Sequence, residues 1–139
     1  MSPTQPQPGK PAEIDAVTHI VKRYPGLKLA IVFGSVATGT AHRDSDLDLA
    51  VWFDTPVQTN LRKDLIETLA VELGRPVDLI DLATAGQPLL GEILSKGKRI
   101  AGSDAAYGAL ISKNLFDRTD FLPYRRRILD QRRKAWLKT

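Results

Sequence analysis

The sequence predicts an α/β fold, a small mixed β-sheet with flanking helices in a single domain. Short apolar or alternating runs over 29–33, 46–53 and 75–82 read as strands. Runs with apolar residues three and four apart, over 12–23 and 60–73, read as helices. Only the Gly34–Asp44 link joins the first two strands, and it is too short for a crossover helix of more than a turn or two. That order, strand–turn–strand–helix–strand, excludes a doubly wound sheet.

The bulk properties agree with this. A chain of 139 residues, 42% hydrophobic and 26% charged, builds one real core and not two. No apolar run approaches membrane-spanning length, and the N-terminus lacks a signal sequence. With no Cys, disulfides and thiolate metal sites are excluded, and the expected location is cytoplasmic.

Taken in order, residues 1–11, with four prolines among Gln, Thr and Gly, form a flexible leader. From Ala12 to Arg23 a helix presents Ile14, Val17, Val21 and Tyr24 on one face, until Pro25-Gly26 ends it. His19 lies off that stripe, as a solvated or structural residue. Leu29–Phe33 is a buried strand. In Asp46–Phe53, Leu47, Leu49, Val51 and Phe53 share one face, and Asp46 and Asp48 the other. Pro56 closes this second strand.

A helix over 60–73 follows, with Thr59 or Asn60 as N-cap, a stripe of Leu61, Leu65, Ile66, Leu69 and Leu73, and Gly74 as C-cap. Arg62, Lys63, Asp64 and Glu67 are expected on its solvated side. Residues 75–82 give the third strand, with Pro76 at its start. Gln87–Lys96 forms a short helix stopped by Gly97, and Lys98–Ala101 an edge strand guarded by its charges. Ser103 or Asp104 caps a helix through Leu115, with Tyr107, Leu110, Ile111 and Leu115 facing inward.

The chemistry concentrates between Gly34 and Asp48. A Gly34-Ser35 pair after a strand suits a sharp turn into a short helix, whose N–H groups bind phosphate oxygens. Ten residues on, Asp46 and Asp48 sit at i and i+2 on one strand face, roughly 6.5–7 Å apart at the backbone. Two such charges about 5 Å apart repel by roughly 3 kcal/mol at an effective dielectric near 20. A hard divalent cation removes that cost, and oxygen ligands favour Mg²⁺ or Mn²⁺ over Zn²⁺. A nucleoside triphosphate held as its metal complex is the implied ligand. Asp44 and Ser45 read as turn residues. An aspartate amid Val77, Leu79 and Ile80 needs a partner, and Asp81, three residues beyond Asp78, points to the other face.

Gly34-Ser35, the ten-residue spacer and Asp46-x-Asp48 together resemble the active-site signature of the polymerase-β-like nucleotidyltransferase superfamily. Chain size and Asp44-Ser45-Asp46-Leu47-Asp48-Leu49-Ala50-Val51 narrow the resemblance to minimal nucleotidyltransferases, the antitoxins paired with HEPN-domain toxins. The resemblance implies a nucleotidyltransferase domain over 12–103 and a helical extension over 104–139. It implies two Mg²⁺ ions bridged by Asp46 and Asp48, with Asp78 as the third ligand and proton acceptor. ATP is then the donor, gripped at Gly34 and Ser35, and a tyrosine of the cognate HEPN ribonuclease toxin is the acceptor. Relatives often carry Arg directly after the Gly-Ser pair; here Val36 and Thr38 stand at the commonly basic positions, which leaves Arg43 as the nearby cation. The alternatives are an antitoxin that acts by binding alone, or transfer to RNA or a small molecule.

The net charge of +4 conceals an asymmetry: residues 113–139 carry nine Lys and Arg against three Asp, while the rest is net acidic. In the C-terminal helix, Arg125, Arg126, Arg127, Arg132, Arg133 and Lys134 are threaded among Phe121, Leu122, Tyr124, Ile128, Leu129, Trp136 and Leu137. Simple packing and RNA binding compete as readings. The aromatic and Arg mixture favours docking onto the toxin in a hetero-oligomer, with nucleic acid not a direct substrate and no membrane contact.

Overall fold

A computed structural model describes residues 11–42 and 45–116 of the chain. Arg43, Asp44, residues 1–10 of the expected leader and the Arg-rich C-terminal segment lie outside the described residues, and Pro11, assigned to that leader, is instead the first residue of a helix. Helix α1 (Pro11–Val21) leads into strand β1 (Leu27–Phe33), a short helix α2 (Gly34–Thr38) and strand β2 (Leu47–Phe53). Helix α3 (Thr59–Leu73), strand β3 (Val77–Asp81), helix α4 (Leu89–Lys96) and strand β4 (Lys98–Gly102) follow. A last helix, α5, runs over 104–116.

The sheet is mixed, in the order β3-β2-β1-β4. The short α2 link forces β1 and β2 antiparallel, whereas α3 returns the chain so that β2 and β3 run parallel. β4 pairs antiparallel with β1 as the expected edge strand.

Alternation along the strands divides the core between two faces. Leu47, Leu49, Val51 and Phe53 join Val17, Ile20 and Val21 of α1 and Leu65 and Leu69 of α3 on one side. Leu29, Ile31 and Ala50 meet Leu90 and Ile93 of α4 and Leu110 of α5 on the other. Complete burial of a Leu or Ile contributes roughly 1.5–3 kcal/mol, so each helix is held by its apolar stripe more than by its intrinsic propensity.

Several expectations are corrected here. The residue preceding α3 is Gln58, with no side-chain cap, and Thr59 is already helical. Arg62 is not on a solvated face: it donates a 2.7 Å hydrogen bond to the Leu79 carbonyl of edge strand β3. On α5, Leu110 is buried and Tyr107 half-buried, but Ile111 and Leu115 are 38% and 55% exposed. Asn114 takes an inward place instead, because Gln87 donates to its side-chain oxygen. Ser103 does cap α5, accepting from the Ala106 N–H at 3.1 Å. Gly74 closes α3 in the left-handed conformation, with φ of 69°.

Candidate active site

The end of β1 delivers the chain into a tight turn. Gly34 has φ of +70°, a conformation that L side chains rarely adopt. Its neighbour across the turn is the Asp48 carboxylate, and a Cβ on Gly34 would collide with Asp48 Oδ2. Glycine is therefore required twice over, by backbone conformation and by proximity. The turn opens α2, which no side chain caps, so its first N–H groups have no acceptor within the helix. Val36, at the position often basic in the resembled family, is fully buried and anchors α2 in the core. Thr38 bonds back to the Gly34 and Ser35 carbonyls, both at 3.3 Å, and touches the Thr40 hydroxyl at 2.9 Å. Its hydroxyl thus steadies the turn from behind.

Asp48 lies beside this turn, with Asp78 opposite it and Asp46 two residues earlier in the chain. Asp48 pairs with Phe33 on β1 and stands directly opposite Asp78 on β3. In a parallel ladder, opposed residues share a face, so the two carboxylates are neighbours. Asp46 lies one residue before β2 rather than within it. It is exposed, as is Asp78, while Asp48 is partly buried between them. Burial holds the Asp48 carboxyl above the ordinary aspartate range, and the charges of Asp78 and Asp46 push it further the same way. Asp81 turns to the opposite face, where its carboxylate accepts from the N–H groups of Val57 and Ala83.

Among the described residues, no three His, Cys, Asp or Glu side chains form a ready-made metal cage. The chemistry of the trio nevertheless fits a hard cation: only carboxylate oxygens, mutually repelling, with the middle one resisting ionisation. Arg43 lies outside the described residues, and its role at the phosphates stays an expectation. A groove of about 310 Å³ lies elsewhere, on the outer side of α3 between Glu67, Thr68, Val71 and Glu72. It is across the sheet from the aspartates, since α3 packs on the other face.

One residue of the site escapes sequence reasoning. Arg75 is 7% exposed and reaches from the start of β3 to the loop before Asp46, where it donates to the His42 and Ser45 carbonyls. Glu13 of α1 faces it as an ion-pair partner. An Arg before a Pro-led strand carries no signal of this in the sequence, because its partners are 30 to 62 residues away.

Comparison with known proteins agrees with this geometry. The polymerase beta nucleotidyltransferase family model matches residues 15–106. The protein adenylyltransferase MntA of Shewanella oneidensis is 38% identical over 79 residues. That stretch is 57% of this chain and 57% of the curated relative, so the chain matches little more than half of its length. Among solved structures, a toxin–antitoxin complex with AMP-PNP superposes with a TM-score of 0.70 at 29% identity, covering 86% of this chain and 95% of that one. A mutant of the toxin–antitoxin MntA–HpeT superposes with a TM-score of 0.73 at 27% identity, covering 85% and 96%. No helix among the described residues is long and apolar enough to cross a membrane. With its tight Gly34 turn set against Asp48 and two thirds of its length inside the family model, the chain belongs to the polymerase beta nucleotidyltransferase family.

Proposed function

We propose that this protein is an antitoxin with protein adenylyltransferase activity, which transfers AMP from ATP to a tyrosine hydroxyl of a HEPN toxin partner. The observation that carries the proposal is the close approach of Gly34 to the Asp48 carboxylate, which supports reading the turn as a triphosphate grip beside a cation site. The similarity to an adenylyltransferase and to a toxin–antitoxin complex holding AMP-PNP supports the donor and the partner.

In this reading, the N–H groups of Gly34 and Ser35 hold the terminal phosphates, and α2 fixes their direction. Asp46, Asp48 and Asp78 would hold two Mg²⁺ ions, which when bound neutralise the triphosphate and acidify the acceptor hydroxyl. The acceptor oxygen forms a bond to the α-phosphorus as the bond to the pyrophosphate oxygen breaks, in line. Asp78, exposed on the edge strand, accepts the hydroxyl proton. Burial and the neighbouring charges of Asp78 and Asp46 disfavour the ionised form of Asp48, and a bound cation would favour it. The Arg-rich residues 125–134 dock the toxin, their aromatic neighbours supplying the anchors.

The test is transfer of α-phosphate label from ATP to purified toxin in Mg²⁺. Label that vanishes with Asp46→Asn and Asp48→Asn supports the enzyme. Full neutralisation of the toxin by those variants, without label, means that binding alone suffices. Label on RNA or on a small molecule moves the acceptor.

A further inference from the structure

The backbone on both sides of Asp46 is tied to a single dipeptide, Arg75-Pro76. On the N-terminal side, Arg75 Nη1 donates to the Ser45 carbonyl at 2.7 Å and to the His42 carbonyl at 3.0 Å. On the C-terminal side, the Leu47 N–H donates to the Pro76 carbonyl at 2.8 Å. The loop between these ties closes on itself, the His42 N–H donating to Ser45 Oγ at 2.7 Å and the Ser45 N–H to the His42 carbonyl at 3.0 Å. Asp46 itself is exposed and lies outside the strand, so no ladder hydrogen bond or packing of its own fixes it.

The guanidinium is fixed in turn. Glu13 Oε1 lies 2.6 Å from Arg75 Nε, without the alignment of a hydrogen bond, and Nη2 donates to Glu13 Oε2 at 3.4 Å. The planar fork thus spans α1, the loop and the start of β3, a reach that the single ammonium of Lys cannot reproduce. Two residues beyond Pro76 stands Asp78. The dipeptide that holds Asp46 therefore also leads directly into the strand bearing the third carboxylate.

We propose that Arg75, held by Glu13, is a positioning residue that sets Asp46 relative to Asp48 and Asp78 and so completes the divalent-cation site. The proposal rests on the nucleotidyltransferase reading above. Without the guanidinium the loop retains its own two hydrogen bonds and the Leu47–Pro76 bond but loses its hold on the N-terminal side of Asp46, and the cation loses one well-placed ligand.

Mn²⁺, followed by its paramagnetic resonance signal in the presence of AMP-PNP, reads the site without requiring turnover. The full chain, Arg75→Lys and Glu13→Gln are titrated, with far-UV circular dichroism and melting recorded on the same samples. Arg75→Lys is expected to weaken Mn²⁺ binding about tenfold with its secondary structure retained, and Glu13→Gln about threefold. A purely structural role lowers the melting temperature but leaves the Mn²⁺ affinity of folded protein unchanged, and that result in Arg75→Lys overturns the proposal. If Arg75→Lys does not fold, Glu13→Gln decides: weakened binding supports the proposal, and unchanged binding overturns it. Should the unsubstituted chain bind no Mn²⁺, the nucleotidyltransferase reading itself fails and this proposal falls with it.

Discussion

Gly34 and Asp48 are the residues on which the site turns. Alanine at 34 meets a left-handed φ, costing about 1–2 kcal/mol, and drives its Cβ into the Asp48 carboxylate. Gly34→Ala is expected to lower stability by that amount in urea unfolding and to reduce AMP transfer at least about a hundredfold. For Asp48 the sign is opposite in the two readouts. Because its folded pKa is raised, first by burial and then by Asp78 and Asp46, its contribution is fully present below the unfolded pKa and is lost as pH rises through the folded value. Metal-free protein should therefore lose stability as pH climbs from the ordinary carboxylate range upward. Asp48→Asn should flatten that dependence in melts from pH 4 to 7, raise the metal-free melting temperature at neutral pH, and abolish transfer. The spacing of Gly34, Ser35, Asp46 and Asp48 is legible in the chain because strand alternation and a short turn bring such positions close, whereas Asp78 is indicated only by the family resemblance and reaches Asp48 through the β2–β3 register. Arg75 and Glu13 are not legible, since their pairing arises only when α1 is laid beside the loop before β2.

At the scale of elements, the helix faces follow from periodicity, and so do their failures. The stripe of α3 puts Leu65 and Leu69 at full burial. Leu69→Ala should cost about 2–5 kcal/mol in denaturant unfolding, the usual range for a core cavity. On α5 the apolar pattern alone does not set the phase, because the inward row includes the polar Asn114 paired with Gln87. A hydropathy pattern rejects such a residue, and Ile111 and Leu115 are then wrongly turned inward. Arg62 misleads for a related reason: its charge suggests solvent, yet the residue is half-buried and its head satisfies the Leu79 carbonyl. Arg62→Met, which keeps the stem, should cost about 1 kcal/mol by leaving that carbonyl short of a donor.

For the molecule as a whole, basic charge and the candidate site occupy different parts of the chain. The acidic trio belongs to the family domain, and the surplus of Lys and Arg belongs to residues 113–139. Recognition and chemistry should then separate by mutation. Replacing Arg125, Arg126 and Arg127 with Ser is expected to weaken toxin association at least about tenfold and to reduce its salt dependence, while AMP-PNP binding is unchanged; calorimetry with each ligand checks both halves. The central claim is that the Gly34 turn and the three aspartates form one ATP-using centre directed at a protein. The mass of the toxin after incubation with ATP, Mg²⁺ and this protein tests it most directly. A gain of one or more AMP units with the unsubstituted chain, absent with Asp46→Asn, is the predicted result. An unchanged toxin mass, with the complex formed and Mg²⁺ and ATP in excess, would contradict it.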